Sequence, residues 1–170
     1  MSAICFSDVK KWRKNRKFED TYSSKKAHGG GVALDLSHEI DLLQYLVGKF
    51  KVKNSFKRKI SKLKGNVEDT FFLNAYKKNK ILQAQINFSS KLNYRKIFVI
   101  GKDYSIILDF KKDFLLIKKN KQSKKYFFKN NISQSYLKMH KALLKNNYKN
   151  FCSFSQGHYI NKIIDQAKNN

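Results

Sequence analysis

His38, Asp35, Asp41 and Tyr45 are the residues of this chain whose types and spacing fit them for chemistry. Taken as one helix, Asp35 lies a turn before His38, and Asp41 and Tyr45 follow at i+3 and i+7, so an imidazole, two carboxylates and a phenol share a polar face. An imidazole within reach of a carboxylate is held in one tautomer, keeps its proton affinity near neutral pH and takes a proton from a substrate hydroxyl. That is the geometry of a general base. Asp-x-x-His is also common as a purely structural pair, so the spacing alone leaves both readings open.

The helix that must carry these residues is marked at both ends. Leu36, Ile40, Leu43 and Val47 recur at i, i+4, i+7 and i+11 as an apolar stripe, and Gly48 stands where a left-handed cap is expected. Asp35 or Ser37 suits the N-cap, which predicts a helix starting near 35. Residues 29–31 are three glycines, but a lysine-rich loop precedes them and the Gly-x-Gly-x-x-Gly spacing is missing. They predict a tight backbone turn and a close approach to a ligand, not a dinucleotide loop.

The rest of the chain reads as one domain of 170 residues. Residues 1–28 form a basic, mostly irregular lead with a short apolar run, Ile4 to Phe6, and a tryptophan, Trp12, set among cations. Alternating apolar positions after Gly48, broken by short Lys/Asn/Gly/Asp turns, predict an antiparallel sheet of about six strands over 50–128. Glu68-Asp69-Thr70 at a strand entrance is read as structural. Two helices close the chain over 131–168, with Ile132, Tyr136, Met139 and Leu143 inward on the first and Tyr159, Ile160, Ile163, Ile164 and Ala167 inward on the second. The class is α+β: a largely antiparallel open sheet with helices on one face.

Composition limits the functions further. The net charge of +25 invites a nucleic-acid partner, yet arginine occurs only at 13, 16, 58 and 95 and the other 33 cations are lysines spread along the whole chain. Readers of nucleic acid lean on arginine forks, so specific recognition is disfavoured, and salt-sensitive adhesion to polyanions is expected instead. Cys5 and Cys152 lie far apart with no metal-ligand spacing, which reads as reduced thiols, and no metal site is expected. No signal peptide or apolar span of ~20 residues is present, so cytoplasmic localisation without a membrane partner is the default.

The stretch 29–48, Gly-Gly-Gly-Val-Ala-Leu-Asp-Leu-Ser-His-Glu-Ile-Asp, with its lead-in from Trp12 to Lys25, resembles the second domain of the Gfo/Idh/MocA (glucose-fructose oxidoreductase, inositol dehydrogenase, MocA) family. Glu68-Asp69-Thr70, the run from Arg95 to Gly101, and the closing helices follow in the family's order, so the resemblance covers about 8–168. It implies an NAD(P)-dependent oxidoreductase of sugars, sugar nucleotides or cyclitols. His38 matches the family's proton acceptor and Asp35 its assistant, although many members place that aspartate four residues before the histidine and here the gap is three. Asp41, Trp12 and Tyr45 are expected to contact substrate.

In that family a Rossmann domain precedes this stretch, and a second catalytic residue, a lysine, sits in Glu-Lys-Pro. A chain with no proline cannot contain that motif. The expectation is therefore a C-terminal domain that lacks the N-terminal Rossmann domain, is truncated, does not bind NAD(P) alone, and is inactive unless a separate chain supplies the nucleotide-binding half. Relatives dimerise through the open face of the sheet, which implies a homo-oligomer. A non-catalytic dimerisation or binding module derived from the family, and a basic polyanion binder, are the alternatives.

Overall fold

The computed structural model describes residues 1–13, 15–129 and 131–169. Its framework is a nine-stranded sheet, in which β1 is Ser2–Asp8, β2 Lys51–Arg58, β3 Thr70–Lys77, β4 Lys80–Asn87 and β5 Ser89–Ile100. The others are β6 (Tyr104–Asp109), β7 (Phe114–Lys119), β8 (Gln122–Phe127) and a two-residue β9 (Lys168–Asn169). The order across the sheet is β8-β7-β6-β5-β1-β4-β3-β2-β9. Pairing is antiparallel except between β1 and β4 and between β2 and β9. The helices are α1 (Val32–Asp35), α2 (His38–Val47), α3 (Ile132–Leu144) and α4 (Phe154–Asp165). This is the expected α+β architecture with a mostly antiparallel sheet.

The lead segment departs from expectation, because Ser2–Asp8 is a central strand and not irregular chain. Its inward side chains, Ala3 and Cys5, are small and buried. They allow α2 to lie close over the strand, but they supply little hydrophobic signal to read in advance. Beyond β1 the lead does become irregular, running through four short 3-10 turns between Val9 and His28.

The core lies between the sheet and α1, α2 and α4. Phe71, Leu73, Leu82, Ala84, Ile86 and Ile97 point up from the strands, and Ile40, Leu43, Ile160, Ile163 and Ile164 point down from the helices. The stripe expected on α4 is therefore inside, with Tyr159 only partly buried at its edge. Ser153 and Gln156 close a reciprocal capping box at its start. The stripe expected on α3 is not inside: Ile132, Tyr136, Met139 and Leu143 are 66%, 58%, 42% and 47% exposed. Amphipathic spacing gave that helix an apolar side without a neighbour to cover it.

Glu68 and Asp69 hold the frame together, as the structural reading of that stretch expects. The Glu68 carbonyl accepts the Val32 N–H at 3.1 Å and its carboxylate accepts the Ala33 N–H at 3.2 Å, which fastens the start of α1. Buried Asp69 accepts the N–H groups of Ile60 and Ser61 at 3.0 and 2.8 Å.

Candidate active site

The expected single helix is broken in two. α1 ends at Asp35, Leu36 leaves helical geometry, and α2 begins at His38 with Ser37 as a cap whose side chain makes no capping hydrogen bond. Asp35 and His38 therefore sit on separate helices instead of on successive turns of one. With α1 tied to Glu68 and Leu36 drawn into the core, the chain re-starts its hydrogen-bond ladder at Ser37, whose carbonyl accepts from Ile40 and Asp41.

The glycines ahead of α1 work by close approach. A Cβ on Gly30 would strike the backbone of Tyr22 and Ser23, and one on Gly31, at φ +115°, would meet the Glu68 carboxylate. The triplet thus packs against the lead segment and an acid. The group facing Gly31 is the Glu68 carboxylate, whose charge disfavours a dinucleotide phosphate at that point. Among the described residues there is also no metal-holding cluster of His, Cys, Asp or Glu.

Asp35 turns toward the lead segment. Burial raises its carboxyl above the ordinary value, opposed by hydrogen bonds from Ser23 and Tyr22 and by the charge of Arg13. Arg13 itself lies over the Tyr22 ring at 4.8 Å. Asp41 instead faces Cys152, whose Sγ is 3.7 Å from its Oδ1. Trp12 sits edge-on to buried Phe88 at 5.9 Å, a packing contact, and Tyr45 is 65% exposed.

His38 has a different carboxylate partner from the one expected. Its side chain is half exposed, and Nε2 lies 3.1 Å from Oε1 of Glu39, a buried residue. The same oxygen is 2.6 Å from Nε of Arg95 on β5. Neither Glu39 oxygen nor the Arg95 Nε has an angularly aligned hydrogen bond, so the contact is an ion pair at close range. Cys5 completes the pocket beneath: burial first, and then the Glu39 charge, push its thiol up to about 12, so it stays neutral. The arrangement is an imidazole at the surface backed by a buried anion, which is itself neutralised by a guanidinium. An imidazole so placed can accept a proton, with the adjacent Glu39 carboxylate stabilising the imidazolium that forms.

Glu39 and Arg95 were not read from the sequence as site residues. A helical wheel carried the signal, since Glu39 falls four residues before Leu43, at the edge of the buried arc. Arg95 had none, because only strand pairing sets it opposite Cys5, under α2.

The fold is an open, mostly antiparallel sheet with helices on one face, a C-terminal-type alpha/beta domain. The family model for the C-terminal alpha/beta domain of the oxidoreductase family, Gfo/Idh/MocA, matches residues 4–169, and the chain belongs to that family. No curated protein matches it in sequence. Among solved structures, levoglucosan dehydrogenase in complex with NADH is similar at a TM-score of 0.81 and 15% identity, covering 96% of this chain and 53% of that one. UDP-N-acetylglucosamine 3-dehydrogenase from Acidithiobacillus ferrooxidans gives 0.71 and 13%, covering 97% and 50%. A 3-ketoreductase from Actinomadura kijaniata, in complex with NADP and TDP-benzene, gives 0.72 and 10%, covering 99% and 53%. At these identities the likeness is one of fold. The chain spans about half the length of these structures, and 38% of a levoglucosan dehydrogenase bound to NADH and levoglucosan.

Proposed function

We propose that this domain supplies the proton-transfer side of an NAD(P)-dependent oxidoreductase acting on a carbinol of a sugar, sugar nucleotide or cyclitol, with His38 as the proton acceptor. Membership of the family supports the reaction class, and the observation that carries the assignment is the half-exposed His38 imidazole 3.1 Å from buried, arginine-paired Glu39. In oxidation, His38 takes the hydroxyl proton from the carbinol, and the buried carboxylate stabilises the imidazolium that results. In the reverse direction His38 returns that proton to the alkoxide oxygen. Asp41 and Tyr45, on the same helix as His38, enter as substrate-side groups together with Asp35 and Trp12; in the fold Asp41 faces Cys152, Trp12 packs on Phe88 and Asp35 contacts Ser23, Tyr22 and Arg13.

The dinucleotide belongs to a nucleotide-binding part outside these residues, on the same polypeptide or on a second chain. The described glycine turn faces the Glu68 carboxylate and lacks the Gly-x-Gly-x-x-Gly spacing, and the step carried by this domain is the proton transfer.

The test is His38→Ala in enzyme that contains both parts, assayed with NAD(P) against a panel of free sugars, cyclitols and nucleotide sugars. A loss in kcat of about 10²-fold or more with an unchanged melting temperature is expected. Full turnover by the variant would remove His38 from the chemistry.

A further inference from the structure

A cleft of about 410 Å³ separates α3 from β5 and the turn that follows β6. Arg95, Lys111, Ser135, Tyr136, Phe110 and Met139 line it, and no acidic side chain does. The arginine is already held in place: its guanidinium lies over the Phe110 ring at 4.6 Å and its Nε faces Glu39, which leaves the terminal amino groups to donate. The lysine is also placed, because buried Asp109 accepts the N–H groups of Lys111 and Lys112 at 2.9 and 3.0 Å and fixes the turn. Ser135 stands in the first turn of α3 with its N–H and hydroxyl both donating to the Asn131 carbonyl, at 3.0 and 3.1 Å, so that turn contributes the positive end of the helix dipole and not free donors of Ser135. No acidic residue occurs from 114 to 164; the carboxylates nearest these cations are Glu39, behind Arg95, and Asp109 and Asp113, which flank Lys111 in the sequence.

From these contacts we propose that the cleft binds a small molecule made of an oxyanion on an aromatic or apolar body. The oxyanion, whether phosphate, sulfate or carboxylate, meets Arg95 and Lys111, and the body lies against Phe110, Tyr136 and Met139. The size of the cleft suits such a ligand. Occupation also covers the α3 side chains that the fold leaves in water. The cleft shares Arg95 with the pair that backs His38, and its test reads binding, so its outcome is separate from that of the oxidoreductase reading.

Isothermal titration of the protein in 150 mM salt with phenyl phosphate, benzoate, inorganic phosphate and phenol tests the proposal. Phenyl phosphate or benzoate should bind one-to-one, at least about tenfold more tightly than inorganic phosphate or phenol. The pair Lys111→Ser and Tyr136→Ala, both at exposed positions, should lose that affinity about tenfold. A charge-matched control, Lys121→Ser with Tyr148→Ala, should keep it. Equal losses in the two double variants, or a phenyl phosphate affinity no better than that of inorganic phosphate, would mean diffuse attraction to a basic protein and would overturn the site.

Discussion

At the scale of single residues, each carboxylate near His38 has its own neighbour: Glu39 faces the imidazole, Asp35 the lead segment and Asp41 Cys152. Asp35 offers a measurement free of any assay. Burial raises its folded-state pKa, so the fold prefers the protonated acid; the cost is absent below the unfolded value and grows as pH rises through the folded one. Asp35→Asn is therefore expected to raise the melting temperature at pH 7 by roughly 2 °C, with the gain shrinking to nothing near pH 3. A scanning-calorimetry series across that range would show it, and a variant less stable than wild type at pH 7 contradicts the burial argument.

At the scale of elements, α2 and α3 show the same apolar periodicity in the sequence and meet different fates. Leu43 on α2 is fully buried against the sheet, whereas Leu143 on α3 is 47% exposed. Leu43→Ala removes packed atoms and leaves a cavity, so it should cost about 3 kcal/mol in urea unfolding. Leu143→Ala should cost under about 1 kcal/mol. Similar losses at both positions would mean that α3 is packed in solution. The same contrast sets the limit of legibility: the stripes on α2 and α4, the later strands and their turns follow from local pattern, while what lies opposite a stripe does not. β1 escaped notice for the converse reason, since a strand carrying Ala3 and Cys5 inward buries area by position more than by side-chain size.

At the scale of the whole molecule, one face of the sheet carries helices and the other is open. Strand alternation puts Ile81 and Ile100, 71% and 81% exposed, on the open side. A hydrogen-bonded row, Ser2 to Gln83 to Asn74 to Asn54, crosses that face with bonds of 3.1, 3.2 and 2.9 Å. A homodimer through this face is the expectation, with the apolar residues as contacts and the amides as a register. Sedimentation equilibrium should give a dimer, weakened about tenfold or more by Ile81→Lys with Ile100→Lys. A monomer for the unaltered protein at micromolar concentration would remove that role from the open face. No helix among the described residues is long and apolar enough to cross a membrane.

By itself the sequence determined the α+β class, the histidine-bearing helix, the antiparallel run of strands and the family, because each rests on short-range periodicity or on motifs in chain order. Only the tertiary structure decided that β1 sits mid-sheet, that α1 and α2 are separate, that α3 stands clear of the core, and that Glu39, paired with Arg95, lies beside His38. Those outcomes depend on which distant residues meet: Arg95 reaches Glu39 through the pairing of β5 with β1, a contact that no spacing along the chain encodes.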